Sequence, residues 1–330
     1  MTGSASIGPP VGGWDTRNAL AEMPAENAVV LDNWFPSNED VVLRNGSAAH
    51  ADVTGGAGIE TLMEYVPPSG AAKLFAGAGT DIFDVTAAGT STSAHGSLTN
   101  GYFVYTQFGN ASGHYLFAAN GVDALRIYNG TTWANTTITN VTLTDVAWVA
   151  GHQNRLWLGE KGSLQAFYLA TNAISGAANS FDLRSVARLG GYLVGMATWT
   201  RDGGDGADDV AVFLTSEGEA IVYQGTDPAS SATWALVGVF RIGRLLNRRS
   251  AIKAGSDLML ATEAGIVPLS AVLATDRSQI DRVAFSRQID RAFNQAVRDA
   301  DGMTDEWQLL LYPRGTMLIA NVPTTGVPQQ

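Results

Sequence analysis

The sequence predicts an all-β chain: a β-propeller of about six to seven blades with an N-terminal extended arm and one helical insertion. Three observations carry that expectation. Glycine is abundant at 37 of 330 residues, only 15% are charged and 45% are hydrophobic, a composition suited to short buried strands joined by tight turns. One phrase returns six times: an apolar strand, a few small or polar residues ending in glycine, then a second apolar strand. Its turn glycines, Gly79, Gly121, Gly162, Gly218, Gly265 and Gly315, lie 42, 41, 56, 47 and 50 residues apart, the length of a four-stranded blade. A β-sandwich also places turns at short intervals, but one phrase recurring at blade spacing favours the propeller.

Residues 1–50 read as the arm. The stretch AVVLDNWFPSNEDVVLRNG, 28–46, sets apolar runs beside Trp34 and Phe35 and is broken by Pro36. It has neither helical nor strand period, and GGWDTRNALAEMPAEN upstream adds another tryptophan, Trp14.

Residues 51–275 carry the blades. Their hairpins are KLFAGAGTDIFDV (73–85), YLFAANGVDALRIYNG (115–130), RLWLGEKGSLQAFYL (155–169), VAVFLTSEGEAIVYQG (210–225) and LMLATEAGIVPLS (258–270). Single apolar strands precede four of them: YFVYTQF (102–108), DVAWVAG (145–151), YLVGMATWT (192–200) and SAIKAG (250–255). A strand, then a hairpin, then a looser strand makes one blade.

Residues 276–302 read as helix, because Ile289, Ala292, Phe293, Ala296 and Val297 fall at helical spacing and Gly302 supplies a stop. Such a helix covers an apolar patch or lies at an interface. Residues 303–330 hold the sixth phrase, LLLYPRGTMLIANV, and form a last, incomplete blade. Either Val41–Leu43 closes the ring as an added strand or the sequence is a fragment of a longer protein, and the fragment is the expectation.

Chemistry is sparse. Cysteine is absent, which excludes disulfides, thiolate metal sites and thiol catalysis. No run of about 18 apolar residues predicts a membrane-spanning helix. The four histidines, His50, His95, His114 and His152, are isolated, and no nucleophile elbow, phosphate loop or dinucleotide fingerprint occurs. Neither catalytic residues nor a cofactor are expected. Asp202, Asp205, Asp208 and Asp209 sit among glycines in TRDGGDGADD, as calcium loops do, although no EF-hand pattern accompanies them. The basic cluster FRIGRLLNRRSAIK holds Arg241, Arg244, Arg248, Arg249 and Lys253, suited to pairing with carboxylates across a subunit contact, the favoured reading, or to touching a phosphate backbone. Net charge is −11, and residues 1–150 hold 13 acidic against 4 basic side chains. Tight nucleic-acid binding runs on the opposite sign.

The pattern GGWDTRNALAEMP…AVVLDNWFP…VVLRNG, with Asn33, Pro36, Arg44 and Gly46, resembles the opening of nozzle or tail-tubular proteins of short-tailed bacteriophages and of related tail DNA-stabilisation proteins. GEAIVYQGTDP, WALVGVFRIG and DEWQLLLYPRGTMLIANVPTTG look similar to the same group. The resemblance implies a structural, non-enzymatic virion protein of the tail. Six copies would form a ring through which double-stranded DNA passes, beside tail adaptor and fibre or spike proteins. Trp14, Asn33, Trp34, Phe35 and the four arginines would then be interface residues. The alternative is a carbohydrate-binding or glycan-degrading tail module, which predicts carboxylates and aromatics at a channel mouth.

Overall fold

The computed structural model describes residues 8–202, 207–275, 277–301, 303 and 306–323. Its architecture is a five-bladed β-propeller, built from consecutive strands. In the arm, β1 (Gly13–Trp14) pairs in parallel with β2 (Asn27–Ala28), and β3 (Trp34–Pro36) forms a hairpin with β4 (Val41–Leu43). β5 (Ala51–Val53) leads into blade one, which contains β6 (Ile59–Tyr65), β7 (Lys73–Ala78), β8 (Asp81–Asp84) and β10 (Ser93–His95); β5 pairs in parallel with β9 (Gly89–Ser91) at its outer side. Blade two is β11 (Val104–Asn110), β12 (Gly113–Ala119), β13 (Arg126–Tyr128) and β14 (Trp133–Asn135). Short β15 (Ile138–Thr139) then pairs with β19 (Gly176–Ala177), around blade three: β16 (Val146–His152), β17 (Arg155–Glu160), β18 (Gln165–Tyr168) and β20 (Asn179–Asp182). Blade four is β21 (Leu193–Asp202), β22 (Ala207–Thr215), β23 (Glu219–Gly225) and β24 (Trp234–Arg241). Blade five has three strands, β25 (Ala251–Ala254), β26 (Asp257–Thr262) and β27 (Gly265–Pro268). Last comes a lone hairpin of β28 (Gln308–Tyr312) and β29 (Met317–Asn321).

All six hairpin phrases fold as hairpins where the sequence places them. The blade count is the correction: five, not six or seven, because among the described residues the sixth phrase forms a two-stranded sheet. Among the described residues Val41–Leu43 does not close the ring as an added strand, since it pairs there only with Trp34–Pro36. Gly79, Gly121, Gly162, Gly218 and Gly265 take the positive φ expected of turn glycines, whereas at the last hairpin that conformation falls on Thr316 (φ 52°).

Blade strands are apolar on both faces because each sheet packs between two neighbours. Successive residues therefore enter different cores. Leu116 joins the layer between blades one and two, and Phe117 the layer between two and three. Leu158 and Trp157 divide likewise between the second and third layers. That is the near-continuous hydrophobic pattern of a sheet covered on both sides. Between blades three and four an aromatic stack fills the layer, with Trp157 over Trp234 at 5.8 Å and Tyr223 over Trp234 at 5.7 Å. Register shifts recur early in the inner strand of three blades, at Ile59–Thr61, Val146–Trp148 and Leu193–Gly195. Such bulges add local twist and bend the strand.

The segment after β27 is not one continuous helix. It comprises α1 (Leu269–Leu273), 3-10 turns at Arg277–Val283 and Phe285–Ile289, and α2 (Asp290–Asp299). Gly302, the expected stop, lies outside the described residues. Leu269, Val272, Ile280 and Ala284 enter the core between blades four and five. The Ser286 hydroxyl accepts the Ile266 amide at 3.0 Å. The insertion thus covers the outer edge of β27, where a fourth strand would sit, and an edge so covered recruits no foreign strand.

Candidate functional site

Asp15 organises the arm. Its carboxylate accepts the backbone amides of Arg17 and Asn18 and the side-chain amides of Asn18 (2.8 Å) and Asn27 (2.8 Å). These donors, the Asn18 amide foremost, hold its pKa down to about 2. The knot seats the arm on the helical insertion: Gln288 donates its side-chain amide to Gly12 O at 2.7 Å and accepts the amides of Thr16 and Arg17. Thr16 Oγ1 in turn accepts the Ala292 amide at 3.2 Å. Asn33 adopts a left-handed conformation (φ 63°), and its carbonyl accepts the Arg44 amide at 2.7 Å, closing the β3–β4 hairpin.

The arm's large side chains remain open. Trp14 donates its indole N–H to Val29 O yet is 40% exposed. Trp34 and Phe35 are 45% and 42% exposed, and Leu20, Val29, Val30, Val42 and Leu43 are more open still. Large apolar side chains left open along one segment are material for an interaction site.

The arginine cluster divides. Arg241 is exposed at the end of β24, and Arg244 pairs at the surface with Glu263 at 3.5 Å. Arg248 and Arg249 turn inward, in contrast to the outward contact expected of all four. Arg248 donates to the carbonyls of Tyr102, Asn120 and Ala147, from blades two and three, and to Glu306 at 3.0 Å. Arg249 donates to Glu306 at 2.9 Å and to Glu60 O on β6, and stacks over Tyr102. Burial pushes the Arg248 pKa down and Glu306 opposes that shift. The trio ties blades one, two and three to the segment entering β28. Of the three, Arg248 also lines a cavity of about 290 Å³ between β11, β16, β21 and β25. Gln288, which holds the arm, stands in no sequence motif, and Glu306 falls in the stretch DEWQLLLYPRGTMLIANVPTTG without any local signal that marks it as the partner of the two arginines.

Asp205 lies outside the described residues, and Asp202 and Asp208 are described only as backbone in the β21–β22 pair. Asp209 accepts the Thr200 hydroxyl at 2.6 Å, and that oxygen accepts from Lys253. Among the described residues, no three His, Asp or Glu side chains converge on a metal-sized site. No described helix is long and apolar enough to cross a membrane. His50 and His114 bond to Val85 O and Gln107 Oε1, respectively. Burial, and after it the Arg126 charge, lowers the His95 pKa. His152 is buried against Thr198 Oγ1 at 3.0 Å, and desolvation lowers its pKa to about 4.

Fold and topology define the class as a β-propeller protein. No protein-family model and no curated protein matches the chain. Solved structures similar to it include BBS1N in complex with ARL6DN (12% identity, TM-score 0.42, 69% of this chain and 66% of that one) and Chaetomium thermophilum Raptor (14%, 0.41, 66% and 20%). Kluyveromyces lactis Hsv2 is another (12%, 0.32, 76% and 82%). The chain thus spans just under two thirds of the BBS1 chain and a fifth of Raptor.

Proposed function

We propose that the chain is a structural subunit of a short bacteriophage tail, forming with copies of itself the nozzle ring through which double-stranded DNA leaves the capsid. One observation carries this reading: an N-terminal arm, bonded to the insertion at Gly12, Thr16 and Arg17, that leaves Trp34, Phe35, Val42 and Leu43 open. Aromatic anchors of this kind are buried by assembly. The resemblance of that same arm to nozzle proteins supports it. The net charge of −11 agrees with a conduit that repels phosphate, so that a duplex slides without being held. Adaptor and fibre or spike proteins are the further partners of such a ring.

The test is the mass of the purified full chain by sedimentation, with class averages of tail particles. A closed ring, of six copies, is the expected result. A monomer at high concentration, beside tail particles lacking the chain, overturns the reading. Trp34→Ser with Phe35→Ser is expected to abolish the ring while shifting subunit stability by no more than about 0.5 kcal/mol, as for other exposed positions.

A further inference from the structure

The β28–β29 hairpin is half a blade, two strands where blades one to four each have four. β28 lies beside the cavity-lining β25, and the Leu309 amide donates to Arg249 O at 3.3 Å. β29 therefore faces outward, where a third strand would follow, and among the described residues it pairs only with β28. Beside it opens an apolar groove of about 710 Å³, lined by Met259 and Ile266 of blade five, Phe285 of the insertion, and Leu311, Tyr312 and Met317 of the hairpin. Phe285 is 72% exposed. An open strand edge along an apolar groove is a template for added strands.

The chain also carries a two-stranded unit of matching size. β3 and β4 pair only with each other among the described residues, and Trp34, Phe35, Val42 and Leu43 are 42–55% exposed. Charge agrees: the turn of that hairpin holds Glu39 and Asp40, while Arg287 and Arg314 flank the groove, all four exposed. Two strands added to two make a full blade.

We infer that the β3–β4 hairpin of one copy adds to β29 of a second copy of this chain, completing a sixth blade and seating in the groove whichever of Trp34 and Phe35 faces blade five, since the two point to opposite sides of β3. Two different patches meet in this contact, and such a heterologous contact generates a ring when its rotation closes. The interface rests on the ring reading above and specifies which surfaces build it.

The chain has no cysteine, so introduced thiols are unique. Full-length Phe35→Cys and Ile319→Cys proteins are purified separately, mixed, and treated with a short bismaleimide that tolerates small register offsets. The expected product is a covalent dimer of one of each, and the double variant is expected to give a ladder ending at the ring size. Cross-links only within single chains overturn the inference, as the hairpin would then complete its own blade. Rings by sedimentation without the cross-link overturn this interface and leave the ring reading standing. A monomer removes both. Phe285→Ser, at an exposed groove position, is expected to raise the concentration needed for assembly tenfold or more, and unchanged assembly counts against the groove.

Discussion

At Gly159 an added methyl group would land in the indole ring of Trp148, so the inner strand of blade three requires glycine opposite it. Trp148 is 1% exposed and has no room to turn away. Gly159→Ala is expected to destabilise the chain by about 1–3 kcal/mol, the range for overpacked cores, read as a lower urea midpoint; an unchanged midpoint would show that the indole has space to shift. His152 makes the other residue-scale prediction. Its folded pKa of about 4 lies below the ordinary value of 6.5. Between those two values the unfolded chain binds the extra proton, so stability falls as pH drops from 6.5 toward 4 and this contribution levels off below that. The full shift corresponds to roughly 3 kcal/mol. His152→Gln is expected to flatten the dependence in that window. An equally steep profile in the variant would assign acid sensitivity to other groups.

Among the elements, the segment carrying Arg248 does what no strand does: it joins blades from inside. Arg248→Met would strand the Tyr102, Asn120 and Ala147 carbonyls and remove one of the two arginines that meet Glu306. The pair is half-buried and Glu306 keeps Arg249, so the loss is that of charge-assisted hydrogen bonds, about 1.5–3 kcal/mol, and a denaturation midpoint shift well below that would mean water replaces the guanidinium. The partners of Arg248 lie 58–146 residues away in sequence, which explains why Arg248 and Arg249 read as surface charges next to Arg241 and Arg244. Hairpins were legible for the opposite reason. An apolar run, a turn glycine and a second run are all local, and Gly79, Gly121, Gly162, Gly218 and Gly265 take the backbone conformation those turns need. LLLYPRGTMLIANV carries the same local signal, but whether further strands join it depends on what lies beside β29, and so the number of blades was not readable. The insertion was half readable: the stripe through Phe293 forms α2, while the extended residue Ala284 and the Ser286 hydroxyl bonded to Ile266 interrupt the helix. Asp15 was findable, because an aspartate accepting amides two and three residues ahead is an Asx turn.

Across the whole molecule, four inter-blade cores run from blade one to blade five, and a smaller fifth joins blade five to the β28–β29 hairpin. Between that hairpin and blade one, Arg249 forms a link by bonding Glu60 O and Glu306. Glu306→Gln is expected to weaken this seam first, seen as faster hydrogen exchange in β28 and β29 with blades two to four unchanged; uniform protection would show that the Leu309 core holds the seam alone. Charge is the other property of the whole chain. With a net charge of −11, the protein is expected not to retain double-stranded DNA at physiological salt. Glu22, Glu26, Glu39 and Asp40 are exposed on the arm. Each exchange for lysine adds two charges, so four exchanges bring the net from −11 to −3 and leave a basic arm. Such a variant is expected to bind duplex DNA weakly, with log affinity falling linearly against log salt at a slope of about −0.9 per phosphate contacted. The parent chain should show no binding under the same conditions. Binding by both proteins would mean that the arm's carboxylates do not repel DNA. Binding by neither would place the repulsion in the propeller body, and the passage surface would then be sought among the blades.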